Sequence, residues 1–172
     1  YNFPELAGKR IELATIAAFA DEAQMIAFKQ SGAEFDYHRE LIALGREKKF
    51  VVMSGADTRL PEVFALGAAG CIGGLVNIVP EWMVLIDRVC RQGQSGDHAC
   101  AAAAMVEVGR IIDQLTFPLN VAAGLEARGF DPGGRIRELP LDCLELADRL
   151  AERLALFGVG ERRFVRALRQ SD

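Results

Sequence analysis

Apolar and polar positions fall into two alternating kinds of run over the first half of the chain. Residues 11–20 carry apolar positions at helical spacing, and Asp21-Glu22 closes that unit. A short apolar run over 25–28 then predicts a strand that gives way to Lys29-Gln30-Ser31-Gly32. A second helix is predicted over about 34–48, and a second strand over 50–53, ending in Ser54-Gly55-Ala56-Asp57. A third helix follows from near 60 to 66, with Gly67 suited to its C-terminal cap. Residues 70–76 read as a Gly-rich strand, and a helix runs from Pro80 or Glu81 to about Arg91. Proline is tolerated in a first helical turn because its missing N–H would have no partner there.

This β-α alternation with short connections argues for an α/β protein whose parallel strands are joined by right-handed crossovers. Continuous apolar strands also fit a sheet covered by helices. Beyond Gly96 the pattern turns wholly helical, with an Ala-rich helix over 97–115, a shorter one over 120–128 and a last one over 141–157. A loop at Gly129-Phe130-Asp131-Pro132-Gly133-Gly134 separates the last two. The expected division is an α/β portion in 1–95 and a helical extension in 96–172. Three strands cannot close a barrel. The chain also opens on Tyr1-Asn2-Phe3-Pro4 with no initiator Met or signal-peptide pattern, so it is expected to be a fragment.

Composition narrows the function. The chain is 51% hydrophobic and 26% charged, with net charge -4, which gives no basic footprint for nucleic acid. No apolar stretch reaches the roughly 18 residues of a membrane span. Cys71, Cys90, Cys100 and Cys143 form no Cys-x-x-Cys pair, and only His38 and His98 could supplement them, so no metal site is expected. They read instead as reduced core cysteines of a cytoplasmic protein.

In parallel α/β folds, functional residues gather where strands end and helices begin. That rule selects Lys29 and Ser31, Gly55 and Asp57, the Gly73-Gly74 stretch, and Tyr1 at the end of a preceding strand. The sequence has four lysines, and Lys9, Lys48 and Lys49 all lie in polar or helix-end settings. Lys29 follows Met25-Ile26-Ala27-Phe28 directly. Burial disfavours an ammonium, and the neutral amine is the form that attacks a carbonyl. A lysine whose stem packs while its head snorkels to water fits the same pattern. Tyr1 is a proton relay or a packing residue. Ser31 and Asp57 suit substrate hydroxyls or helix caps. Gly73-Gly74 admits a ligand to the backbone or relieves crowding in the sheet.

Five segments, in order, sharpen this reading. The sequence resembles the dihydrodipicolinate synthase / N-acetylneuraminate lyase family of class I aldolases and related dehydratases. Tyr1-Asn2-Phe3-Pro4 resembles its Tyr-Asn-x-Pro motif at the end of the fifth barrel strand, and Ile26-Ala27-Phe28-Lys29-Gln30-Ser31 the sixth strand with its Schiff-base lysine. Ser54-Gly55-Ala56-Asp57 is similar to the seventh-strand Ser-Gly-x-Asp, and Gly70-Cys71-Ile72-Gly73-Gly74-Leu75-Val76-Asn77-Ile78-Val79-Pro80 to the eighth strand and its turn. Residues 129–141 are similar to the family's Gly-x-x-x-Gly…Arg…Pro-Leu stretch.

The resemblance implies the C-terminal part of a (β/α)8 TIM barrel, about its last three strands, plus a helical extension. It implies Lys29 as imine-forming residue and Tyr1 as proton relay, with Ser31, Gly55, Asp57, Ile72 and Gly74 binding substrate. No cofactor is needed, since the lysine imine is itself the electron sink. Implied partners are a pyruvate-type 2-oxo acid and further copies of the chain in a homotetramer, with neither nucleic acid nor membrane. True dihydrodipicolinate synthases carry an arginine two positions after the motif, where this chain has Leu6. Losing a bidentate carboxylate donor there points to a 2-oxo-3-deoxy sugar acid or a similar substrate. Three alternatives stand: a true dihydrodipicolinate synthase despite Leu6, a non-catalytic 2-oxo-acid sensor of the same fold, and an unrelated doubly wound protein. The last predicts a Gly-rich nucleotide loop, which the sequence lacks.

Overall fold

The structure is a computed structural model and describes residues 1–92 and 95–130. The described elements are α1 (Pro4–Ala7), α2 (Leu13–Glu22), β1 (Ala27–Gln30), α3 (Phe35–Lys48), β2 (Val51–Ser54), α4 (Leu60–Leu66), β3 (Gly70–Cys71), α5 (Leu75–Ile78), α6 (Pro80–Gln92), α7 (Ser95–Ile112) and α8 (Leu119–Ala127). A turn of 3₁₀ helix, Asp57–Arg59, leads into α4.

The strands form a parallel sheet in the order β1-β2-β3, with Lys29 opposite Met53 and Ser54 opposite Cys71. Asn2 adds a parallel bridge to Gln30 on the other side of β1. The alternation was expected, but β1 and β2 sit later than the apolar runs and include Lys29, Gln30 and Ser54. Gln30 and Ser54 are fully buried polar residues, held by hydrogen bonds rather than by apolar character. A pattern of apolar positions therefore stops short of them.

The third strand is a correction. It spans only Gly70–Cys71, while Leu75, Val76 and Asn77 lie in α5. The N–H of Ile72 still donates to the Ser54 carbonyl at 2.8 Å, and pairing ends at Gly73-Gly74, whose missing side chains hold no extended strand. Helix α4 matches its expected bounds, and Gly67 closes it at φ +106°, a left-handed conformation suited to glycine. The loop expected after Gly129 and the helix expected over 141–157 lie outside the described residues, apart from Gly129 and Phe130.

The chain divides into two compact units. One comprises Tyr1–Gly73 with Ile86–Ala102. Its core gathers Ile16, Phe28, Tyr37, Leu41, Ile42, Phe50 and Val52. Phe28 and Val52 contribute from one face of the sheet, and α3 contributes the i, i+4, i+5 positions of its inner stripe. The opposite face of β1 and β2 carries Lys29 and Met53, both partly exposed. That alternation sets the lysine apart from the core.

The second unit comprises Gly74–Leu85 and the described residues from Ala103 onward. There α5 packs on α8, and Gly124 lies so close to Ile78 that a Cβ would stand 2.7 Å from its Cδ1. Arg128 clasps this unit, donating to Glu81 at 2.8 Å and to the Ile78 carbonyl at 2.5 Å. Among the described residues no helix is long and apolar enough to cross a membrane.

Candidate functional site

The site is built on main-chain ladders. Asn2 N–H donates to the Lys29 carbonyl at 2.9 Å, and Ser31 N–H donates to the Asn2 carbonyl at 2.9 Å. The Gly55 N–H donates to the Gln30 carbonyl at 2.7 Å. Three consecutive strand ends, at Asn2, Ser31 and Gly55, are thereby held side by side. Side chains reinforce them: Asn2 Nδ2 donates to Gln30 Oε1 at 2.7 Å, and Asn2 Oδ1 accepts from Ile11 N–H at 3.0 Å. Asn2 and Gln30 are both buried, so the bond between their amides is made in a dry setting.

On this frame stand the expected residues. The Lys29 ammonium lies 4.3 Å from the centre of the Tyr1 ring. The Tyr1 hydroxyl is 3.1 Å from Ser31 Oγ, and either oxygen can donate. Tyr1 is mostly exposed, Lys29 partly so, and Ser31 buried. Gly55 closes the wall beside them: a Cβ there would collide with Ser31 Oγ and stand 3.2 Å from Lys29 Cε. Tyr1, Lys29, Ser31 and Gly55 thus form one cluster.

Asp57 opens the 3₁₀ turn after β2, and its carboxylate lies against Gly73, where a Cβ would stand 2.7 Å from Asp57 Cγ. Burial pushes the Cys71 thiol up to about 12, with the Asp57 charge adding to the rise and Lys29 opposing it. Asp57 and Lys29 therefore both bear on Cys71 at the end of β3. Ile72 is half exposed and tied to β2 through its N–H. Gly74 falls in the second unit, at the start of α5, where a Cβ would stand 3.2 Å from Val121 Cγ2. Leu6 is 79% exposed in α1, so its side chain offers apolar surface where an arginine would offer five donors.

Sequence reasoning assigns no place in the site to His38, Gln30 or Cys71. The sequence reads His38 only as a metal ligand, although Leu41 and Ile42 follow it at i+3 and i+4 on the buried stripe of α3. That spacing was the available signal. Gln30 and Cys71 carried none beyond their neighbours. Among the described residues no group of three or more His, Cys, Asp or Glu could hold a metal ion.

A primary amine facing an aromatic ring, with two hydroxyls in hydrogen-bond reach of one another, can form a covalent adduct with a carbonyl and move the protons that adduct requires. Comparison with known proteins bears on this. The dihydrodipicolinate synthetase family matches residues 1–154. A 4-hydroxy-tetrahydrodipicolinate synthase of Haloarcula marismortui is 30% identical over 138 residues, covering 77% of this chain and 43% of the relative. The chain spans about half the length of the curated relatives it matches. Among solved structures, YagE, a prophage protein of the dihydrodipicolinic acid synthase family from E. coli K12 in complex with pyruvate, superposes with TM-score 0.80 at 23% identity, over 92% of this chain and 55% of its own. N-acetylneuraminate lyase from Fusobacterium nucleatum, complexed with pyruvate, superposes with TM-score 0.76 at 17% identity, over 89% of this chain and 52% of its own.

Proposed function

Because the chain belongs to the dihydrodipicolinate synthetase family, a family of lyases, we propose that it supplies the Schiff-base half of a lyase acting on a 2-oxo acid, with Lys29 as the imine-forming residue. The observation that carries the reading is the placement of the Lys29 ammonium 4.3 Å over the Tyr1 ring while the Tyr1 hydroxyl stands 3.1 Å from Ser31 Oγ. On this reading the described sheet is the end of a (β/α)8 barrel, residues 96–172 its helical extension, and the working assembly a homotetramer.

In the proposed reaction the neutral Lys29 amine attacks the ketone carbon, forming the N–C bond as the carbonyl electron pair moves to oxygen. Tyr1, exchanging its proton with Ser31, passes one proton from the nitrogen to that oxygen and then gives up its own as the oxygen departs as water. The protonated imine then accepts the electron pair of the breaking C3–C4 bond. Tyr1, left deprotonated, takes the C4 hydroxyl proton, an aldehyde leaves, and an enamine stays on Lys29. Protonation at C3 and hydrolysis return the amine and release pyruvate. Loss of a C3 proton from the same imine would instead give an enamine that expels the C4 hydroxyl as water, making a dehydratase.

Leu6 favours a substrate whose far end carries hydroxyls, with Ser31 and Asp57 as their partners, over an aldehyde that also bears a carboxylate. A 2-oxo-3-deoxy sugar acid fits that description, and Gly55 and Ile72 would contribute backbone to its pocket. That YagE and the Fusobacterium lyase were solved with pyruvate supports a pyruvyl group at the reacting end.

The test is borohydride reduction in the presence of pyruvate, followed by peptide mass analysis. An adduct on the Lys29 peptide is expected. A folded protein exposed to pyruvate that gains none overturns the lyase reading in favour of a 2-oxo-acid-binding protein. Pyruvate release or 2-oxo semialdehyde formation from 2-oxo-3-deoxy acids then separates cleavage from dehydration.

A further inference from the structure

Behind the lysine strand, α3 buries a histidine that the proposed chemistry does not use. His38 is completely buried. Its Nε2 lies 3.2 Å from Ser54 Oγ, and its Nδ1 lies 3.4 Å from the Glu34 carbonyl. Ser54 is also completely buried, and its hydroxyl oxygen accepts the Ala56 N–H at 3.1 Å. Between those two residues sits Gly55, with its N–H on the Gln30 carbonyl and so placed that an added Cβ would meet Ser31 and Lys29 Cε. The imidazole therefore reaches the lysine cluster through one hydroxyl and one turn.

The rest of the surroundings fix the ring. Phe35 lies 5.5 Å from it, centre to centre, and the Arg59 guanidinium carbon lies 3.4 Å from the centre of the Phe35 ring. Main-chain carbonyls of Glu34 and Gln30 face the imidazole, and Arg59 is the charged group that bears on it. Burial, opposed by those carbonyls and aided by Arg59, holds the ring below its ordinary value and so neutral. A neutral imidazole has one donor and one acceptor, and polar partners are at hand for both nitrogens. An apolar side chain would fill the same space without reaching Ser54.

We propose that His38 is a positioning residue of the lysine site, which holds the Ser54-Gly55-Ala56 turn through Ser54 and thereby fixes the wall against which Lys29 and Ser31 pack. The proposal rests on the reading of Lys29 as the imine-forming residue. Outer partners of this kind set the orientation of the groups that react, and small displacements of those groups are costly in rate.

The experiment compares His38→Asn, His38→Gln and Ser54→Ala in the intact protein, with borohydride trapping of pyruvate and amide hydrogen exchange at Gly55 and Ala56 as readouts. The Gln amide reaches the place of Nε2, whereas the Asn amide stops near Nδ1. His38→Asn is expected to slow trapping about tenfold and to speed exchange at both amides. His38→Gln should restore most of both, and Ser54→Ala should match His38→Asn without adding to it in the double variant. Equal trapping in the Asn and Gln variants, or additive losses in the double variant, overturns the proposal. If His38→Asn does not fold, unimpaired trapping by folded Ser54→Ala overturns it equally. If the unaltered protein is not trapped at all, the imine reading falls on its own. Exchange at Gly55 and Ala56 then decides whether His38 holds the turn, and unchanged exchange in the variants overturns it.

Discussion

The Lys29 ammonium and the Tyr1 ring, 4.3 Å apart, come from segments joined by main-chain hydrogen bonds between Asn2 and both Lys29 and Ser31. A cation over a ring face is attracted by the negative face of the π system. The same placement leaves the phenol oxygen beside Ser31, so in the proposed mechanism one tyrosine serves the lysine with its ring and the proton path with its hydroxyl.

Lys29→Ala is expected to abolish the borohydride-trapped pyruvate adduct and to lower turnover by at least about a thousandfold. Lys29 lies on the face of β1 away from the core cluster, so the melting temperature should change little. Turnover retained by the folded variant would remove Lys29 from the mechanism.

Tyr1→Phe keeps the ring and deletes the hydroxyl bonded to Ser31. A loss of about a hundredfold in kcat is expected, with pyruvate affinity little altered. Ser31→Ala should cost less, about three- to tenfold, because Tyr1 is largely exposed and water can replace the serine. Steady-state kinetics on both variants checks the order.

Gly55→Ala places a methyl group into Ser31 Oγ and within 3.2 Å of Lys29 Cε. Overpacking of this kind costs about 1–3 kcal/mol, read as a lower melting temperature, and trapping should fall with it. An alanine variant with both properties intact would show that the wall yields.

The Cys71 thiol, pushed up to about 12 by burial and then by Asp57, is expected to alkylate far more slowly at pH 8 than a free thiol. Asp57→Asn removes the second cause and should speed alkylation of that peptide. Mass spectrometry of iodoacetamide-treated protein reads both rates. A Cys71 as reactive as glutathione would contradict the burial described here.

Arg128 holds the Glu81 carboxyl below its usual range, chiefly by side-chain hydrogen bonding. A depressed carboxylate stabilises the fold above its unfolded value, here 4.5, and that stabilisation drains as pH falls through the lower folded value. Both groups are mostly shielded from solvent, with side chains 15% and 26% exposed. Arg128→Ala is expected to cost roughly 1–3 kcal/mol near neutral pH and progressively less below pH 4.5, as measured by denaturant midpoints across that range.

The sequence made α3 and α4 legible because their apolar stripes and the Gly67 cap are local signals. It placed Tyr1, Lys29 and Ser31 at strand ends for the same reason, and the structure brings those three together with Gly55. What it missed is polar burial. Gln30, Ser54 and His38 lie inside because partners distant in sequence satisfy them, and no run of apolar residues records such a pairing. The early end of β3 depended on the Gly73-Gly74 pair outweighing the apolar residues after it, a competition that hydropathy does not register.

The bonds that align Tyr1, Lys29 and Ser31 run through Asn2 N–H and C=O, the Lys29 carbonyl and the Ser31 N–H. None of them involves the side chains that would do chemistry. The frame is therefore indifferent to what is mounted on it, and a different residue at position 31 would stand where the serine does. Such a scaffold can change its reaction by single substitutions without renegotiating its fold, a freedom that a site held together by its own functional groups does not have.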